Sequence, residues 1–283
     1  MSTRLHLSWS QVRGQLLSQM GWIARRFIEH DCLTIAGSLT FTSLLALVPV
    51  MTMVYLGLAF LPEYAALAEQ VESFVFRNFV PSSSMLVQEK LNQFASRAEG
   101  LTSLGLLGLA ITTLMLLFSI ERQFNAIWQV SMPAWRLPRL LAYAGLLIFG
   151  PALVLTALWV TTYVLSLPLL AEVDVIGVAP LVLQHLPTLC LFLILGALFK
   201  FVPNAKVSVR HAAIGGIAAA AVFKFAFALF AWVSQYLVYD AIYGALAALP
   251  AFLLWLFLVW LIVLLGAVLV CSCAALQGDQ AVE

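Results

Sequence analysis

Charge is what this chain has least of. Its 14 Lys and Arg and 13 Asp and Glu make 10% of 283 residues, against 63% hydrophobic, where soluble domains run near ~25% charged. So little polar surface excludes a water-soluble globule, because the apolar excess needs lipid as its solvent. Ten-residue segments of alternating polarity are missing as well; the apolar stretches are unbroken and rich in Leu and Ala, which excludes a transmembrane β-barrel. Histidine is scarce: His6, His30, His185 and His211 stand apart, with no pair at helical ligand spacing, so no metal site is legible. The four cysteines, Cys32, Cys190, Cys271 and Cys273, lie in or beside apolar runs. They build no disulfide framework, and Cys271 and Cys273 read as small residues at a helix end. There is no glycine-rich phosphate loop, no cofactor motif and no basic groove for nucleic acid, so the sequence carries no sign of an enzyme or of a nucleic-acid partner.

What is present is a series of charge-poor runs, each able to supply the ~20 residues of a membrane-crossing helix. They place six spans at about 33–61, 101–120, 140–167, 181–202, 211–237 and 248–272. The expected fold class is therefore all-α: a polytopic membrane protein whose domain covers 31–273. Arg4, Arg13, Arg25, Arg26, Arg122, Arg136, Arg139, Lys200, Lys206 and Arg210 fall on one side, and only Arg77, Lys90 and Arg97 on the other. Ten against three puts both termini in the cytoplasm by the positive-inside rule, with residues 274–283 as a cytoplasmic tail and the bacterial inner membrane as the location. Residues 1–30 carry Trp9, Val12, Leu16, Met20, Ile23 and Phe27 at helical spacing, the pattern of an amphipathic interfacial helix. They lack the small-residue cleavage site of a signal peptide. After span one, apolar stripes in Glu63–Phe79 and Ser84–Ala98 flank Pro81, which predicts an external helical hairpin over 63–99.

Lys224 is the most informative residue: it is the one charge between Arg210 and Asp240, midway along an otherwise apolar span. An ammonium near the bilayer centre costs roughly 2.5–3.5 kcal/mol on insertion scales, so such a residue is expected to face the bundle interior, a partner or water. At ~1.5 Å per residue it lies about 21 Å beyond Arg210, a little past the midplane. One reading makes it a lock that fastens helices; the other makes it a binding site for an anionic group, with Asp240 and Tyr243 of the polar turn after span five as neighbours. At the end of span two, Glu121, Asn125 and Trp128 share a helix face, either as an interfacial anchor with Trp128 in the aromatic belt or as an inner gate. In span one, Gly37 and Ser43 among other small residues predict close helix packing, and Pro49 predicts a kink.

Taken in order, the segments AGSLTFTSLLALVP (Ala36 to Pro49, after Asp31), NFVP (Asn78 to Pro81), SIERQFNAIW (Ser119 to Trp128), VPNAKV, FKFAFALF around Lys224, IYGALAALP (Ile242 to Pro250) and LLGA (Leu264 to Ala267) resemble the YihY/BrkB family of bacterial inner-membrane proteins. The resemblance implies six spans, both termini inside and a basic residue matching Lys224. Family members often carry acids where this chain has Ala221 and Val268. Some bear the label ribonuclease BN, but nothing in this sequence supplies two metal-binding acids or an RNA groove. The expectation is a non-enzymatic membrane protein in contact with membrane lipids that moves or senses an anionic lipid or small solute. The alternative is an envelope scaffold whose hairpin docks a partner. The sequence leaves open whether copies associate.

Overall fold

A computed structural model describes residues 21–58, 103–131, 178–234 and 248–276. All regular structure among them is helical: α1 Gly21–Glu29, α2 Cys32–Leu58, α3 Ser103–Ile127, α4 Val178–Phe201, α5 Val209–Ser234 and α6 Ala248–Leu276. By length and composition α5 and α6 are able to cross a membrane, and the bent pair α1–α2 makes a third such element. The molecule is thus a helical membrane protein. Five of the six predicted spans coincide with helices. The third, at 140–167, lies outside the described residues, as do the hairpin at 63–99, residues 1–20 and the end of the tail.

Helix α6 is apolar around its whole circumference, and a helix of that kind is buried. It packs against α2, α3, α4 and α5 and forms the centre of the bundle, while α2 pairs with α3 and α4 with α5. Helix α5 runs opposite to α4 and α6, since Gly215 and Gly216 of its start lie against Val270 and Gly196, whereas α3 and α4 run parallel to α6, their last turns lying against its C-terminal part. Ser43 and Trp260, each 11 residues from Cys32 and Cys271 respectively, are joined by a hydrogen bond from the Trp260 indole Nε1 to Ser43 Oγ at 3.0 Å. Cys271 in turn lies against the end of α3, its Sγ 3.7 Å from the Ile127 carbonyl. Arg25, Arg26, Arg122, Lys200, Lys206 and Arg210 therefore gather at one end, called the basic end below.

The joint between α1 and α2 bends the chain by 58°. Asp31 sits there with φ 48°, in the left-handed region, its N–H donating to the Ile28 carbonyl and its own carbonyl accepting from Ile35 N–H. Trp22, Ile23 and Phe27 of α1 pack against the core, whereas Arg25 and Ile28 are exposed.

Close packing falls elsewhere than expected. Gly37 has nothing within 4 Å of where a Cβ would stand, because its neighbours Ala36 and Leu39, not Gly37 itself, face the core. The tight approaches are at Gly216, whose Cβ would meet the Gly196 N and Phe192 carbonyl of α4 at 3.1 Å, and at Gly266, whose Cβ would stand 2.6 Å from Phe199 Cζ. Gly215 likewise has no room beside Val270. These contacts weld α4, α5 and α6 together, since small residues let backbones approach. Helix α2 continues through Pro49 to Leu58, and α4 runs through Pro187.

Candidate functional site

Two places in this frame hold polar groups that demand an account. The first is the basic end. Helix α3 does not stop at 120 but runs on to Ile127, because the SIERQFNAI segment is packed inside protein. Glu121 is 2% exposed, Asn125 1% and Trp128 5%. Trp128 is thus not in an aromatic belt at the lipid interface: it stacks on Phe124 with centroids 6.1 Å apart, and Phe124 stacks on Phe199 of α4 at 6.2 Å. Arg122 and Ala126 are the exposed residues of this segment.

The helix ends on Gln129 at φ 54°, with Val130 N–H donating to the Asn125 carbonyl and Gln129 N–H to the Ala126 carbonyl. This is the Schellman pattern, which satisfies carbonyls a helix end leaves open. The Asn125 side chain is used separately. Its Oδ1 accepts from the backbone N–H of Asn204 at 2.7 Å, which pins the turn between α4 and α5 to α3. The same turn is held from α4, where Lys200 Nζ donates to the Val207 carbonyl, and it caps α5 through Ser208 Oγ, which accepts from His211 N–H at 3.3 Å. His211 is buried in the first turn of α5. The sequence shows His211 only as a histidine standing apart from the others, and VPNAKV only as one of the ordered motifs. The Asn204 contact spans 79 residues, and no local spacing announces it.

The second place is α5. Its inward face carries Phe223, Phe227 and Phe230, whose rings surround Trp255 of α6 at centroid distances of 5.4, 5.6 and 5.3 Å. With Gly215, Gly216, Ala219 and Ala220 also turned inward, the rotation of α5 about its axis is fixed. Lys224 follows Phe223 and is therefore turned outward. It is exposed, with Ile217, Ala221, Phe225 and Ala228 around it exposed as well. Among the described residues no hydrogen bond or ion pair holds its ammonium. The lock between helices expected on one reading has no counterpart among them, and the anionic group expected on the other has to come from outside the described bundle.

The two positions at which the resemblance leads one to expect acids lie on different sides of α5. Ala221 lies one turn before Lys224 on the same exposed face, the place where an acid would meet the ammonium. Val268 is 1% exposed inside the core, on the far side of α5 from Lys224. Asp240 and Tyr243 lie outside the described residues. Ser43 joins α2 to α6 as described, a role that close packing alone did not predict. Among the described residues no cluster of three His, Cys, Asp or Glu is arranged to hold a metal.

The sequence profile of the family described as virulence factor BrkB matches residues 23–281. The chain belongs to this family. It is 40% identical over 255 residues to a UPF0761 membrane protein of Azotobacter vinelandii, covering 90% of this chain and 62% of that protein. With a UPF0761 membrane protein of Pseudomonas aeruginosa the identity is 41% over 252 residues, 89% of this chain and 61% of the relative. A third, from Legionella pneumophila, is 38% identical over 248 residues, 87% of the chain and 59% of the relative. This BrkB-family chain spans about three-fifths of the length of the curated relatives it matches. Their names describe membrane proteins and state no enzymatic activity. No solved structure matches the chain.

Proposed function

We propose that this BrkB-family protein handles an anionic lipid in the bacterial inner membrane, with Lys224 binding the negative headgroup from the lipid side and both termini in the cytoplasm. One observation carries the reading: the single ammonium of α5 is exposed on the side of that helix turned away from α6, amid apolar side chains. A cation so placed pays its desolvation cost unless an anion offsets it. A small solute moving through a bundle interior would not meet it; a phospholipid, whose tails stay in the bilayer while its phosphate travels along the helix, would. Asp240 and Tyr243, after the end of α5, belong to the same reading as the polar station at the opposite surface. Glu121, Asn125 and Trp128 serve in it as the fixed end of the bundle and not as a lipid anchor.

The scaffold reading makes a different demand. In it Lys224 fastens helices and the segment 63–99 docks a partner, yet the described helices offer the ammonium nothing to fasten to. The test uses purified protein reconstituted in vesicles of phosphatidylglycerol and phosphatidylcholine. Native mass spectrometry should show phosphatidylglycerol retained on the wild-type chain and on Lys224→Arg, and lost from Lys224→Met. Transbilayer movement of a labelled phosphatidylglycerol should fall in the same variant. Equal retention and equal movement in Lys224→Met, with an unchanged melting curve, would overturn the proposal.

A further inference from the structure

We infer that the exposed face of α5 is a track on which an anionic phospholipid enters at Arg210, from the leaflet at the basic end, and passes to Lys224. The inference rests on the lipid reading above and adds the entry point, the leaflet and the path. Arg210, Ile214, Ile217, Ala221 and Lys224 are all exposed, and they follow one another at steps of four, three, four and three residues. At 3.6 residues per turn, 14 residues return a helix to within about 40° of its starting direction, so the two cations share a face, separated by ~21 Å along the axis. Half of a bilayer including its headgroups is roughly 20–22 Å. With Arg210 at the level of the phosphates, Lys224 falls near the midplane.

Three properties of the strip fit a lipid. Its middle is apolar, with Ile214 50% and Ile217 60% exposed, so acyl chains lose nothing by lying beside it. The side chain nearest Lys224 on the entry side is Ala221, the smallest of the set, which leaves space for a headgroup next to the ammonium. Side chains on a helix also lean toward its N-terminus, which aims Lys224 back toward Arg210 and the basic end. No acid stands on this strip between the two cations, so neither charge is spent on a neighbour along it. The face cannot turn away, because Phe223, Phe227 and Phe230 are locked around Trp255.

The experiment places a photoreactive phenylalanine derivative at Ile217, between the cations, and a second at Leu193 on the exposed face of α4 as the control position. Full-length protein is reconstituted in vesicles holding labelled phosphatidylglycerol or labelled phosphatidylcholine. The track predicts that Ile217 captures phosphatidylglycerol in preference to phosphatidylcholine while Leu193 captures both alike. Arg210→Gln should lower the Ile217 capture by about fivefold, the effect of one surface cation on an anionic lipid, and Arg210→Lys should restore it. If Ile217 shows no preference, or Arg210→Gln leaves its preference intact, the track is wrong. Should retention of phosphatidylglycerol still depend on Lys224 in that case, the lipid reading survives and only the entry path fails; if Lys224→Met is also silent, both fall.

Discussion

Replacing a glycine by alanine should have opposite signs at two places in this bundle, and the difference isolates helix packing. At Gly37 a Cβ meets nothing within 4 Å. The substitution there gains the helix propensity of alanine, about 0.8–1 kcal/mol. At Gly266 the same Cβ stands 2.6 Å from Phe199 Cζ, 3.0 Å from Cε2 and 3.1 Å from the Ala219 Cβ. Phe199 is fully buried and stacked on Phe124, so its ring has no free direction in which to swing. Overpacking of this kind costs roughly 1–3 kcal/mol. Both positions are helix interior, so the propensity gain cancels in the comparison and Gly266→Ala should be less stable than Gly37→Ala by that packing cost alone. For a chain of this size each kcal/mol moves the melting temperature by about 2–4 °C. Thermal unfolding of the two variants in one detergent reads the difference directly. Equal melting temperatures, or a lower one for Gly37→Ala, would refute the assignment of the weld to Gly266.

Asn125→Ala strips the acceptor from the N–H of Asn204, an exposed residue whose donor water can then satisfy; the net loss of such a hydrogen bond is about 0.5–1.5 kcal/mol, and proteolysis of the 202–208 turn should accelerate together with the fall in melting temperature. Asp31 holds φ 48°, so Asp31→Gly should be tolerated, while Asp31→Val should cost about 1–2 kcal/mol, measured by the same unfolding curves. His30 has its pKa lowered from 6.5, by burial first and then by the Arg26 cation, with Glu29 opposing; Arg26 Nη1 donates to His30 Nε2 at 3.2 Å, which requires the neutral ring. As pH falls through 6.5 the unfolded chain takes up a proton that the folded chain refuses, so stability declines until the lower folded pKa is passed. His30→Gln should therefore lose less stability than wild type between about pH 7 and pH 5.

The helices were legible because lipid imposes length and polarity on each one separately, and those are local properties of sequence. Family membership was legible from ordered motifs. What sequence could not reveal was rotation. Whether Lys224 faces the neighbouring described helices or away from them is decided by Phe223, Phe227 and Phe230 closing on Trp255, a residue 25 to 32 positions away, and apolar residues on all sides of α5 leave no amphipathic stripe to indicate which side packs. Trp128 misled for a related reason. A tryptophan near Arg122 at the end of a span reads as an interfacial anchor, but the helix continues past it into contact with Phe124 and the α4–α5 turn. The small residues were ambiguous in the same way: Gly37 and Gly266 look alike in sequence, and only the partner helix distinguishes them.

The polar residues of this chain divide by where their burial is compensated. Asn125 is buried at the basic end and receives a backbone donor from Asn204; Lys200, half-buried, reaches the Val207 carbonyl; the first turn of α5 is capped by Ser208. Each is offset within the protein, and together they hold that end of the bundle rigid. Lys224 has no such partner among the described residues. It is carried by a helix whose position is fixed by glycine contacts and aromatic rings, on the side those contacts leave open. A folding role would be met better by leucine at this position, since a cation with no partner among the described residues, amid exposed apolar side chains, lowers stability in a membrane helix. Lys224→Leu should thus raise the melting temperature while abolishing lipid selectivity, and a variant that loses both would show that the ammonium serves the fold after all.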